Sequence, residues 1–102
     1  MLPEISLSDE AEKDIEEAYI WYENQKTGLG EDLITELEKS FKKIQQNPTA
    51  YRVRYKKKVR GFLTSVFPYL ILYSIDTNIK IISVFHTHRQ PRTLKKRVQK
   101  LN

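Results

Sequence analysis

The sequence predicts an α+β fold of order β-α-α-β-β-β, a helical hairpin packed on one face of a small, mostly antiparallel sheet. Two observations carry this. Residues 9–47 repeat apolar side chains at helical spacing on either side of a glycine break. Residues 58–86 then supply three runs rich in β-branched and aromatic residues. The halves need each other, because neither helix can bury its apolar stripe alone and both require a sheet to sit on.

The elements follow in order. Residues 3–7 alternate Ile5 and Leu7 behind Pro3, which a strand tolerates at its start, so a short strand is expected there. Ser8 stands at the N-cap position of a helix over 9–25, and Asp9 and Glu10 complement its positive end. Ala11, Ile15, Ala18, Tyr19 and Tyr22 form its apolar face; Glu12, Asp14, Glu16, Glu17 and Glu23 form an acidic, solvated one. Gly28 and Gly30 break the pattern. A second helix carries Leu33, Ile34, Leu37, Phe41 and Ile44 and stops at Asn47-Pro48. Strands are expected over 58–67, 69–75 and 80–86, with Asp76-Thr77-Asn78 as a hairpin loop and Pro68 as a bend. The run YLILY at 69–73 suits a central strand covered on both faces. Alternation in 80–86 puts Ile82, Val84 and His86 on one face, with Ile81, Ser83 and Phe85 on the other. The sheet face away from the helices is expected to expose part of this apolar set. Residues 91–102 form a basic tail, either a short helix with Leu94, Val98 and Leu101 aligned or a mobile end.

With 102 residues the chain is expected to be a single domain, burying roughly two-thirds of the surface its unfolded form exposes. It contains no Cys, which removes disulfides, thiolate metal sites and Cys nucleophiles together; with two His, a metal site or a cofactor is not expected. No apolar run has the length of a membrane span and the N-terminus is acidic, so the expected location is the cytoplasm, with no membrane partner.

Charge divides the molecule. Residues 1–50 carry five Lys/Arg against twelve Asp/Glu, a net of −7. Residues 51–102 carry thirteen Lys/Arg against Asp76 alone, a net of +12. Such asymmetry points to a polyanion or acidic protein partner for the second half, or to attraction between the halves within the fold. The cations form three clusters. Arg52, Arg54, Lys56, Lys57, Lys58 and Arg60 are interleaved with Tyr51 and Tyr55, a mixture that can hold phosphate and stack on bases. Arg89 and Arg92 follow the last strand, and Lys95, Lys96, Arg97 and Lys100 lie in the tail.

His86-Thr87-His88-Arg89 is the densest polar run. Residues 86 and 88 of a strand face the same way, so the imidazoles would be neighbours. A His can act as general base on a ribose 2′-hydroxyl while an Arg stabilises the developing phosphorane, a metal-free route to RNA cleavage. From the residues alone the plainer reading is favoured, in which His86 ends a strand by packing and hydrogen bonding, with His88 and Arg89 exposed.

The order of several marks resembles the RelE/ParE superfamily of bacterial type II toxin–antitoxin modules, over about residues 3–92. These marks are Trp21-Tyr22 ahead of a Gly-x-Gly helix junction, Asn47-Pro48, Phe67-Pro68-Tyr69 with Tyr73, and His86 with Arg89. The resemblance implies the same β-α-α-β-β-β fold and a cognate antitoxin, usually a partly disordered acidic segment, with which the chain forms a hetero-oligomer. The superfamily splits. Members of one branch cleave mRNA on the ribosome with Lys and Arg from the middle strands; the ParE branch is associated with DNA gyrase. Here no Lys or Arg lies between Gly61 and Ile79, and Leu70 stands at about the place of an expected Arg. The remaining catalytic candidates, Arg60, His86, His88 and Arg89, make a thin set. The ParE-like branch is therefore favoured, with Arg52, Arg54, Arg60, Tyr69, Tyr73, His86, Arg89 and Arg92 expected to contact the target or antitoxin. The alternatives are a metal-independent endoribonuclease and an inactive basic interaction module.

Overall fold

The computed structural model describes residues 2–88. The chain runs β1 (Ile5–Leu7), α1 (Asp9–Gln25), α2 (Leu29–Gln46), β2 (Val53–Tyr55), β3 (Val59–Leu63), β4 (Tyr69–Ile75) and β5 (Ile79–His86). The sheet order is β1-β5-β4-β3-β2, parallel between β1 and β5 and antiparallel elsewhere. The expected order is present with one strand more, β2. The expected strand over 58–67 stops at Leu63, because Thr64–Phe67 turn back on Tyr69 instead. The tail over 91–102 lies outside the described residues.

Ser8 caps α1 as its position predicts: its Oγ accepts from the Ala11 N–H at 3.0 Å. The same hydroxyl donates to the Ile82 carbonyl at 2.7 Å, tying the cap to β5. Gly28, at φ 92°, makes the break between the helices; Gly30 lies inside α2. Glu23 turns from the expected solvated face to this corner, where one carboxylate oxygen accepts from the Gly28 and Gly30 N–H groups, both at 2.9 Å. Asp14 also leaves that face. β1 accompanies β5 only as far as Ile81, so the next outward amide of β5 lacks a strand partner. The buried Asp14 carboxylate takes the Val84 N–H at 3.0 Å in its place.

The helices cover one face of the sheet. Leu33, Leu37 and Ile44 of α2, with Ala11, Ala18 and Tyr22 of α1, pack on Tyr69, Ile71, Tyr73, Ile79, Ile81 and Val84. Each fully buried branched or aromatic side chain here contributes about 1.5–3 kcal/mol. Strict alternation fails in β5. Leu72 lies opposite Ser83 but Tyr73 opposite Ile81, so an extra residue enters at Ile82. Ile81 and Val84 both face the helices, while Ile82 and Phe85 face away. The second face is not exposed as expected. Val59, Leu70, Leu72 and Phe85 are 5 % exposed or less, clustered with Tyr55 and Ile82.

Candidate functional site

The sequence candidates separate into two places. The first is the end of the sheet where β4 begins and β5 finishes. Tyr69 sits opposite His86, and their rings meet edge to face at 5.3 Å. His86 and His88 have ring centroids 6.0 Å apart, so the expected neighbourhood of the two imidazoles is present. The His88 backbone N–H donates to His86 Nδ1 at 3.1 Å, which leaves the neutral ring its proton on Nε2. Thr87 closes the turn, its N–H and hydroxyl both donating to the Pro68 carbonyl. His86 is half-buried and His88 exposed; Arg89 and Arg92 lie outside the described residues.

An aromatic chain backs this end. Tyr69 touches Tyr22 at 6.2 Å, and Tyr22 touches Phe67 at 5.0 Å and Trp21 at 4.9 Å. Trp21 is 41 % exposed and is therefore a surface residue of this cluster. The loop between β3 and β4 is fastened beside it by hydrogen bonds. Both Glu36 carboxylate oxygens accept from it, one from Val66 N–H at 3.0 Å and the other from Phe67 N–H at 2.9 Å. Thr64 Oγ donates to the Phe67 carbonyl. The result turns Phe67 inward and leaves Val66 79 % exposed. Sequence reading placed 64–67 in a strand, so this fixed apolar tip went unseen; Glu36 offered no local signal of its role.

The second place is the β2–β3 edge. Arg52 and Arg54 are exposed, and the Arg54 stem lies across Gly61, which has no side chain to obstruct it. Arg60 is turned inward. It donates to the carbonyls of Tyr51 at 2.6 Å and Thr49 at 3.3 Å, clamping the segment that leads from α2 into β2. Tyr73 joins this clamp by donating to the Pro48 carbonyl at 2.7 Å. Burial pushes the Tyr73 phenol up to about 12, against the lowering effect of nearby Arg60. Tyr73 and Tyr69 are 0 % and 2 % exposed, so as they stand neither offers a surface to a partner.

The two places do not meet. Arg60 lies opposite Tyr73 and His86 opposite Tyr69, on opposite sides of β4. Four residues along that strand separate them by about 13 Å. An open hollow at the β4–β5 hairpin, lined by Lys58, Ser74, Asp76, Asn78 and Lys80 among others, contains none of the candidates. Among the described residues no group of three or more His, Asp or Glu is placed to hold a metal ion, and no helix is long and apolar enough to cross a membrane.

The family model for the ParE toxin of type II toxin–antitoxin systems, parDE, matches residues 5–91. The chain belongs to the ParE toxin family. It is thus a type II toxin by family, and the family implies a cognate antitoxin as partner. No curated protein matches the chain. Among solved structures, a chain described as the chromosomal ParDE TA system from P. aeruginosa has a similar fold, with a TM-score of 0.75. The likeness covers 82 % of this chain and 95 % of that one at 16 % identity.

Proposed function

We propose that this chain arrests growth by binding a protein target, with the DNA gyrase complex the target that family membership implies, and that an antitoxin neutralises it in a hetero-oligomer. Action in the cytoplasm, where DNA gyrase works, is part of this reading. The observation that supports binding over cutting is that, among the described candidate catalytic groups, Arg60 stands apart from the neighbouring His86 and His88. A metal-free ribonuclease needs its general base and its phosphate-holding cation within a few ångströms of one phosphate. Arg60 is instead occupied with two backbone carbonyls about 13 Å along the sheet from His86. Its removal would unfasten a loop as well as withdraw a charge.

The test is expression without an antitoxin, with DNA and protein synthesis followed separately. DNA synthesis is expected to stop first while translation continues, and the purified chain in excess is expected to block supercoiling by gyrase. Normal supercoiling removes gyrase as the target. Immediate translation arrest, with cuts at ribosomal A-site codons that vanish in His86→Ala or His88→Ala, replaces the reading with the endoribonuclease. A folded protein that leaves growth untouched leaves only an interaction module.

A further inference from the structure

We infer that the hollow between the β4–β5 hairpin and Lys58 is a binding site for the di- or triphosphate group of a small molecule. It lies at the far end of β4 from Tyr69 and His86 and does not depend on the target proposed above.

The sheet register supplies the first argument. Lys80 of β5 lies opposite Ser6 of β1 on one side and opposite Ser74 of β4 on the other. Ile79 and Ile81 take the helix side, so Lys80 and its two partners leave the sheet on its other face. Val59 lies opposite Ser74, which brings Lys58 to the same corner. The turn before Lys58 fixes its place. Lys56 and Lys57 adopt left-handed backbone, φ 51° and 65°, and the Lys58 N–H closes on the Tyr55 carbonyl at 3.3 Å. Both lysines and both serines line a hollow of about 610 Å³, a size common for small-molecule sites.

The second argument is that the fold leaves these groups unused. Among the described residues, neither ammonium forms an ion pair and neither serine hydroxyl a hydrogen bond, although Ser74 is half-buried. Thr77 and Asn78 also line the hollow, and their backbone N–H groups make no hydrogen bond among the described residues either. Ammonium, hydroxyl and loop amide are the donors that phosphate oxygens accept.

Spacing and lining select the ligand. The strands that carry Ser6 and Ser74 flank β5 and stand roughly 10 Å apart. Two or three linked phosphates cover that span and a single one does not. Among the described residues no aromatic ring lines the hollow, so a nucleic acid would find no platform there for its bases. Asp76 lines it as well and opposes any anion, while Asp9 and Glu10 line the next hollow, beyond Ser6 and Lys80. These carboxylates limit affinity, and Asp76 supplies a variant expected to tighten binding.

The probes are inorganic tripolyphosphate and a single-stranded oligouridine RNA without terminal phosphates. Each is titrated into the full chain while the backbone amide NMR signals are followed. Tripolyphosphate is expected to move the Thr77 and Asn78 signals to saturation and to leave His88 in place, a readout that needs no variant. Lys80→Ala is expected to weaken it about tenfold and Ser74→Ala about threefold, whereas Asp76→Asn strengthens it. Lys42→Ala removes the same charge from an exposed position on α2 and is expected to change nothing. Unmoved Thr77 and Asn78 signals, equal weakening by Lys42→Ala and Lys80→Ala, or weaker binding in Asp76→Asn overturns the proposal. Oligouridine that shifts the same amides at lower concentration than tripolyphosphate makes the ligand a nucleic acid and overturns it too.

Discussion

The helix corner and the β2–β3 edge use charge in opposite ways. In the acidic half, carboxylates act as internal fasteners. Glu23 holds the amides that open α2, Asp14 completes β5 where β1 ends, and Glu36 pins the β3–β4 loop. In the basic half, Arg60 alone of the six cations from 52 to 60 is turned to such work; the other five stay exposed. A carboxylate accepts backbone amides that the fold would otherwise leave unpaired, so it is consumed by folding. Surface cations have no equivalent debt to settle within the chain. The net −7 and +12 are therefore unlike quantities: part of the first is structural, and most of the described part of the second faces outward.

The comparison breaks if both regions respond alike to substitution. The largest effect is expected at Gly30. A Cβ there would lie 2.7 Å from Glu23 Cγ and 2.8 Å from both Tyr19 Cδ2 and the Tyr19 backbone oxygen. Gly30→Ala forces the helices apart or displaces Glu23, a cost of about 2–3 kcal/mol. That is about 10 °C in Tm for a domain of this size. Arg52→Ala, on the open edge, is expected to change stability by less than about 0.5 kcal/mol. Thermal melts of the two variants side by side decide it. Next is Asp14→Ala, which leaves the buried Val84 N–H without its acceptor and costs about 2 kcal/mol. Hydrogen exchange should accelerate at Val84 more than at Ile71 on the neighbouring strand.

Asp14 also shows where sequence reading stops. Helical periodicity revealed which face of α1 is apolar, and Ala11, Ala18 and Tyr22 are indeed buried. It had no means of showing that β1 runs out at Ile81, so a carboxylate with a strand amide to satisfy looked like one more solvated acid. The bulge at Ile82 has the same origin: register is a property of two strands, and one strand's alternation does not contain it. β2 escaped because it spans three residues and turns on Lys56-Lys57, which carries none of the usual turn chemistry. His86 and His88 are neighbours as the sequence suggests but for another reason: β5 ends at His86, and the turn that follows, with the His88 N–H on His86 Nδ1, brings the rings together. The inward turn of Arg60 depends on Thr49 and Tyr51 arriving from another element.

A smaller effect separates the two sides by pH. The Tyr73 phenol is buried as its neutral form and donates to Pro48, so its ionisation is displaced upward to about 12. The unfolded chain ionises the same group near 10. Its contribution is therefore complete below pH 10 and is lost as pH rises from 10 towards 12. Tyr73→Phe is expected to cost about 1 kcal/mol at neutral pH through the missing hydrogen bond. It should also flatten the fall in denaturation midpoint over that alkaline window. An unchanged alkaline slope in Tyr73→Phe would mean that this phenol is not what opposes high pH.

The smallest expected change runs the other way and sharpens the contrast most. Left-handed backbone costs an L-residue about 1–2 kcal/mol where it is fully strained, and glycine avoids that cost while asparagine reduces it. The double substitution Lys56→Asn with Lys57→Gly keeps the turn between β2 and β3 and removes two charges from the edge. After the extra chain entropy that glycine loses on folding, a net gain of about 0.5–1 kcal/mol is expected. Urea denaturation with an unchanged m-value would register it as a pure gain in stability. The helix corner offers no comparable gain, because Gly28 already occupies its one left-handed position and Glu23 already holds its amides. If the doubly substituted chain is more stable yet arrests growth less well, those lysines are retained at the expense of folding. If it is less stable, the ammonium groups contribute to the fold itself, and the division between consumed and outward-facing charge fails where it was drawn most sharply.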